Sequence, residues 1–444
     1  VKFPNTQIWN DLSPAEKKSV LLRPRLATNQ TTKRLVRKIL AQVKSEGDAA
    51  VSELTLRFDG VALDRLAVSP AILQAARQAL SAETLAAAEA AIKNIRIFHQ
   101  AQKRNRLTVE TNPGIICEKR FVPIQKIGIY IPAGTAPLLS TLLMLAVPAQ
   151  VAGCSEISLF SPPQKETGEI DATILGLAAY LNITKVYRGG GAQAIAALAY
   201  GTESVSQVDK IFGPGNSYVT EAKQQVAADP QGAQIDLPAG PSELLVIADQ
   251  NADAAIVAAD LLSQAEHGHD SQVILLATTA DTFTKVSAEI AKQLSTLPRR
   301  KLAGESLRGS RFILCASLKE ALQVSNLYAP EHLSLNFANA REWADKVENA
   351  GSVFLGPWSP ESAGDYATGT NHVLPTNGFA RNSSGLSLDS FQKSITVQEL
   401  SPSGLLGIAS CVETLAQAEG LMAHSRAISL RRLKLSRASD GVIS

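Results

Sequence analysis

The spacing of apolar residues changes character along the chain. Up to about residue 105 they recur at helical spacing, over Thr32 to Lys44 and again over the alanine-rich stretch Ala71 to Arg104. Ser13-Pro14-Ala15-Glu16 reads as a capping box with proline at the first helical position, opening a helix toward Leu22. Short β-type runs follow from Leu107 to Pro123. Compact apolar runs and helical segments then alternate. Lys126 to Ile131 predicts a buried strand, followed by a Pro132 to Pro137 loop and the apolar helix Leu138 to Val151. Strand Glu156 to Phe160, helix Ala172 to Leu181 and strand Lys185 to Tyr187 lead to Gly189-Gly190-Gly191 and a helix from Gln193. A further glycine loop, Gly213-Pro214-Gly215-Asn216, precedes a helix over Val219 to Ala227.

A second series repeats the plan. Glu243 to Ala248 predicts a strand, Ala252 to His267 a helix and Gln272 to Ala277 a strand. Asp281 is expected to cap a helix toward Leu294; Arg311 to Cys315 predicts a strand and Leu318 to Leu327 a helix. Leu333 to Phe337 and Ser352 to Leu355 add two strands around a helix from Arg341. Alternation of this kind is the pattern of parallel sheets covered by helices.

The fold class expected is therefore α/β, with two doubly wound Rossmann-like domains of about five strands each. They occupy residues 106–235 and 236–380, between a helical N-terminal region (1–105) and a small helical tail (381–444). From Gly356 to Phe391 no regular structure is expected, and a loop of that length in a compact protein is usually functional. It carries Glu361, Asp365 and His372. The tail, with helices ending in Val412 to His424 and a basic end, is small enough to pack on a neighbouring element or a partner chain.

Composition narrows the class of function. With 43 basic and 41 acidic residues, the formal charge of +2 gives no electrostatic reason to expect nucleic acid or an anionic membrane. Small-molecule chemistry is the remaining default. Cys117, Cys154, Cys315 and Cys411 stand far apart, which argues against a disulfide framework or a thiolate metal site and fits a reducing compartment. The N-terminal residues form no apolar signal core, and the longest apolar run, Leu138 to Ala152, is broken by Ser140, Thr141, Pro148 and Gln150. A cytoplasmic protein without a transmembrane segment is expected.

The densest chemistry lies in LLSQAEHGHDSQ, Leu261 to Gln272. Gln264 and His267 are three apart, so they project from one face of the last helical turn, a spacing that suits a metal. Gly268 is expected to stop the helix in the left-handed conformation and to turn His269 off its face. Five of the six histidines follow residue 266, each beside an acid or amide: His267 with Gln264 and Asp270, His332 after Glu331, His372 after Asp365, His424 after Glu419. Nitrogen and oxygen donors without thiolates suit Zn²⁺ or Mn²⁺ in a site open to substrate. Solvated loops carry such pairs too. His99, among Ile97, Phe98 and basic residues, is expected to be a surface or half-buried histidine. In Tyr328-Ala329-Pro330-Glu331-His332 the adjacent carboxylate and imidazole can divide two proton transfers between them. The glycine loops could cradle an anion at helix N-termini, yet none matches G-x-G-x-x-G, so ordinary turns explain them as well.

Longer segments carry a resemblance. IDLPAGPSELLVIAD (Ile235 to Asp249), LLSQAEHGHDSQV, YAPEHLSL and GPWSPESAGDYATGTNHVLPT (Gly356 to Thr376) closely resemble histidinol dehydrogenases, as do GIYIPAGTAPLLST, GGGAQAIAALAYGT and KIFGPGNSYVTEAK. The resemblance covers essentially the whole chain. It implies oxidation of L-histidinol through L-histidinal to L-histidine with two NAD⁺, and a homodimer with one zinc per active site. It also implies zinc ligands at Gln264, His267, Asp365 and His424, and an acid/base pair at Glu331 and His332. Substrate contacts at Ser242 and Glu419, besides the ligands and His332, and NAD contacts at Tyr130, Gln193 and Asn216 follow in the same way. The tail, and with it Glu419 and His424, is implied to complete the partner's site. One departure stands at Gly268-His269-Asp270, where the family pattern has proline in the middle position.

Overall fold

The computed structural model describes residues 6–23, 30–132, 137–237 and 240–440. Most of the loop expected over Pro132 to Pro137 lies outside them. The chain divides into two compact units, Val1–Gln102 with Ile124–Phe391, and Lys103–Pro123 with Gln392–Ser444.

The strands are, along the chain, β1 (Gln7–Ile8), β2 (Leu107–Asn112), β3 (Ile115–Pro123), β4 (Lys126–Tyr130), β5 (Glu156–Ser161), β6 (Lys185–Arg188) and β7 (Lys210–Phe212). Then come β8 (Gln234–Ile235), β9 (Glu243–Ala248), β10 (Gln272–Ala277), β11 (Arg311–Leu314), β12 (His332–Asn336), β13 (Ser352–Leu355) and β14 (Gln392–Leu400). The first unit holds two parallel sheets, in orders β6-β5-β4-β7-β8 and β1-β11-β10-β9-β12-β13. In each, the chain winds outward from a central strand to one edge and then returns to the strand's other side. The expected pair of doubly wound folds is therefore present, with switch points between β4 and β7 and between β9 and β12. All six residues of β9 and of β10 are buried, because helices cover both faces. The helix Leu139–Ala152 is buried almost all round, so its uniformly apolar sequence is core rather than membrane span. Among the described residues no helix is long and apolar enough to cross a membrane.

The second unit is a three-stranded antiparallel sheet, β14-β3-β2, with the helices Pro402–Ala418 and Met422–Asp440. The short β runs after Leu107 thus pair with a C-terminal strand rather than with the first parallel sheet.

The capping box is formed, Ser13 Oγ accepting from the Glu16 amide while Glu16 accepts from the Ser13 amide at 2.8 Å. Asp281 does not cap its helix. Thr279 holds that position, and Asp281, in the first turn, pairs with Lys285 at 2.6 Å. The helix before His267 ends at Ala265 with Glu266 as its cap, and Gly268 does not take a left-handed φ. In place of a helix from Arg341 there is a 3₁₀ segment, Ala340–Lys346. His99 is fully buried, its Nδ1 bonded 2.8 Å from the Ile95 carbonyl in the previous helical turn. The stretch after Gly356 contains a short helix, Glu361–Tyr366.

Candidate active site

A cavity of about 170 Å³ opens where the two sheets of the first unit approach. Pockets for drug-sized ligands run to about 300–1,000 Å³, so this one suits a molecule of amino-acid size. The first sheet offers the carboxyl ends of its switch strands: Leu138, Ser140 and Thr141 follow β4, and Pro214 follows β7. The second sheet meets them with its amino ends. Ser242 precedes β9, while Glu331 and His332 open β12. Gln264 and His267 reach in from the end of helix Ala254–Ala265. Glu361 and Asp365 come from Glu361–Tyr366, where their spacing of four puts them on one face.

The backbone of Glu243 organises the acid/base pair. Its amide donates to Glu331 Oε2 at 2.8 Å, and its carbonyl lies 3.0 Å from His332 Nδ1. A carbonyl only accepts, so the His332 proton sits on Nδ1 and the Nε2 lone pair is bare. Nε2 is buried with no partner, 3.7 Å from Asp365 Oδ1. His372 is fixed in the same way: Nδ1 bonds the Asp365 carbonyl at 2.9 Å, and Nε2 stands 3.3 Å from Thr141 Oγ1, from which it accepts. Burial holds both rings neutral, pushing His332 down to about 3 and His372 to about 4. His267 lies on the exposed rim, yet desolvation on its cavity side still lowers its pKa.

The acids respond oppositely. Burial, then mutual repulsion, raises Glu361 well above the carboxylate range, with Asp365 the leading neighbour. Burial also raises Glu331 far above its ordinary value and Asp365 to about 7. A pocket of neutral imidazoles and reluctant carboxylates has unmet demand for positive charge. The same demand shows in single atoms. Gln264 Oε1 and Nε2, His332 Nε2 and Glu361 Oε2 are all buried without a partner, which is costly in a finished core. Ligand atoms of His332, Glu361 and Asp365 lie within 4.8 Å of one another. Imidazole, amide and carboxylate donors without sulfur fit a zinc- or manganese-type cation.

Of the residues expected at the site, Ser242, Gln264, His267, Glu331, His332 and Asp365 line this cavity. Glu419 and His424 lie in the second unit, exposed at the turn between Pro402–Ala418 and Met422–Asp440. Tyr130, Gln193 and Asn216 belong to the first sheet's side. Tyr130 ends β4, and its buried hydroxyl accepts the Gly191 amide at 3.1 Å, leaving its own proton to donate. Gln193 is buried in the first turn of the helix Gly191–Tyr200, and Asn216 caps Ser217–Ala228 by accepting from the Tyr218 and Val219 amides. Sequence reasoning gave no role to Thr141 or Glu243, and marked Glu361 only as one of three residues in a loop expected to be functional. The one available signal was the spacing of four between Glu361 and Asp365.

Comparison with known proteins bears on the same residues. The family profile described as histidinol dehydrogenase matches residues 22–432. The chain is 52% identical over 431 residues to a histidinol dehydrogenase of Aliivibrio fischeri, covering 97% of each chain. It is 51% identical over 423 residues to that of Escherichia coli, covering 95% of this chain and 96% of the relative. The crystal structure of histidinol dehydrogenase from Elizabethkingia anophelis superposes with a TM-score of 0.92 at 47% identity, over 96% of this chain and 97% of that one. With two doubly wound sheets meeting over an imidazole and carboxylate cavity, and with relatives matched end to end, the chain belongs to the histidinol dehydrogenase family.

Proposed function

We propose that the protein oxidises L-histidinol through L-histidinal to L-histidine, a four-electron reaction that reduces two NAD⁺. The observation that carries this reading is the fixed tautomer of His332: a neutral ring with its basic nitrogen bare, buried and aimed at a small cavity, beside a second potential base. Gln264, His267 and Asp365, with His424 of the partner subunit, would hold a zinc ion, and Glu419 of the partner subunit would contact substrate. Bound there, zinc would supply a Lewis-acid centre that orients a nitrogen-bearing substrate beside His332.

In the first oxidation His332 Nε2 takes the alcohol proton while hydride passes from the carbinol carbon to the nicotinamide. The aldehyde stays bound, which protects a reactive intermediate from escape. In the second, Glu331 removes a proton from water as its oxygen adds to the aldehyde, and protonated His332 gives the proton it took from the alcohol to the former carbonyl oxygen, which restores its bare Nε2. Burial has raised the proton affinity of Glu331, which makes its carboxylate the stronger base. His332 then accepts the proton of the resulting hydrate as a second hydride leaves for a second NAD⁺. Tyr130, Gln193 and Asn216 would receive the cofactor at the carboxyl ends of the first sheet, where doubly wound folds bind such ligands. Because the tail would complete a neighbour's site, the active form is a homodimer. No membrane or nucleic-acid partner enters the scheme.

The deciding experiment follows NADH absorbance during turnover of L-histidinol, with protein as isolated, after chelation and after zinc is restored. Two NADH per histidinol, lost and regained with zinc, are expected. One NADH per substrate would reduce the enzyme to a simple alcohol dehydrogenase, and none would overturn the reading.

A further inference from the structure

Arg23 lines no part of the cavity, yet it binds both Glu243 and the turn that leads into the acid/base pair. Its Nε donates to Glu243 Oε1 at 2.5 Å and its Nη2 to Glu243 Oε2 at 2.9 Å, a side-on fork. Nη2 also reaches the carbonyls of Tyr328 at 2.8 Å and Ala329 at 3.1 Å. The guanidinium stacks 3.8 Å above the centroid of the Tyr328 ring. The pair is secluded, the Arg23 and Glu243 side chains being 15% and 3% exposed. Glu243 Oε1 further accepts the Asn377 amide at 2.9 Å, and the Tyr328 hydroxyl donates to Gln272 at 2.8 Å.

Two consequences converge on residues 331 and 332. The Glu243 backbone sets the Glu331 carboxylate and the His332 tautomer, so an anchor on its side chain anchors both. The turn that delivers the pair, Tyr328-Ala329-Pro330, passes through a left-handed Ala329 (φ 55°). An alanine there is strained and persists only where surroundings hold it. Arg23 binds the carbonyls of that residue and the one before it. Lysine would keep the charge but lose the planar fork and the stacking that serve both tasks at once.

We propose that Arg23 is a positioning residue for the acid/base pair: gripping Glu243 and the Tyr328-Ala329 carbonyls together, it holds Glu331 and His332 in register with the substrate. The inference rests on the reaction proposed above. A misplacement of about 1 Å at a reacting group can cost on the order of 10²-fold in rate.

The test uses full-length, zinc-loaded protein and L-histidinol. Arg23→Gln alone leaves a buried carboxylate unpaired and endangers folding, so Arg23→Gln/Glu243→Gln, which removes both charges, is the decisive variant, with Arg23→Lys beside it. The double variant should lose about 10- to 100-fold in kcat, with KM for L-histidinol changed less than about threefold and zinc content unchanged. Arg23→Lys should fall between it and wild type in kcat, with KM again little changed. A double or lysine variant that folds, binds zinc and keeps kcat within twofold would overturn the proposal. So would loss appearing only in KM. Wild-type protein that fails to turn over L-histidinol would instead count against the reaction itself.

Discussion

The carbonyl of Glu243 stands 3.0 Å from Nδ1 of His332, and the amide of the same Glu243 holds Glu331 at 2.8 Å. One peptide segment thus presents two bases whose duties in the proposed reaction differ. His332 serves both oxidations, whereas Glu331 enters only when water must add. Glu331→Gln keeps an oxygen to accept the Glu243 amide and removes the base. It should slow oxidation of L-histidinal by about 10²-fold or more while sparing conversion of L-histidinol to the aldehyde within about tenfold. Single-turnover kinetics on each substrate separate the two. Equal losses would remove the division of roles.

His332→Asn should behave differently, cutting both half-reactions by about 10²- to 10⁴-fold. Burial holds the ring neutral down to about pH 3, so its basic form is present throughout the ordinary working range. Raising pH from 6 to 9 should therefore restore nothing to the variant. A His332→Asn enzyme whose first oxidation survives would show that another group takes the alcohol proton.

Asp260 tests the cost of buried charge one helical turn before Gln264. It is 7% exposed, and burial raises it from 3.8 to about 6. Its folded pKa lies above its unfolded one, so the stability linked to it is whole below about pH 3.8 and is lost as pH rises through about 6. Fully ionised, it costs on the order of 3 kcal/mol. Asp260→Asn should accordingly stabilise the protein at pH 8, by up to that amount, and by about half as much at pH 5. Urea denaturation at the two pH values measures the difference. A gain independent of pH would rule out desolvation as its source.

What was readable in the chain follows from how each element is stabilised. β9 and β10 are covered on both faces, so the core itself wrote them as unbroken apolar runs. β14 was not seen because it is largely exposed and its sequence, QKSITVQEL, mixes polar residues on both faces; its pairing with β3 makes it a strand. The helix Glu361–Tyr366 has six residues, too few for a periodic signal, and an isolated helix of that length is not stable by itself. At the site, Glu331 and His332 are adjacent and were legible as a pair. Glu243 was readable only as the start of a strand, because its role depends on Arg23, 220 positions away. Asp281 looks like a cap in the sequence because an acid in the first turn and a cap share one sequence signal.

Gly213 ties the two central strands of the first sheet together at the end where NAD⁺ is proposed to bind. Its φ is +123°, and a β-carbon there would stand 2.1 Å from the Tyr130 carbonyl oxygen. Gly213→Ala must therefore strain the loop or push β7 away from β4. The expected result is a rise of about tenfold or more in KM for NAD⁺, with KM for L-histidinol less affected. An alanine variant with unchanged NAD⁺ kinetics would separate this loop from cofactor binding.

The same loop is held from below by an almost fully buried ion pair. Lys223 pairs with Asp236 and donates to the Gly213 carbonyl at 2.8 Å, while Asp236 Oδ2 accepts the Gly213 amide at 2.8 Å. Their side chains are 2% and 1% exposed. Removing one charge strands the other in low dielectric, so Lys223→Met should destabilise the protein by about 3–5 kcal/mol. Lys223→Met/Asp236→Asn should regain much of this, because no lone charge remains and the asparagine oxygen can still accept the Gly213 amide. Denaturation of the three proteins completes the thermodynamic cycle. If the double variant is no more stable than Lys223→Met, the cost lies in lost packing rather than in the unpaired carboxylate.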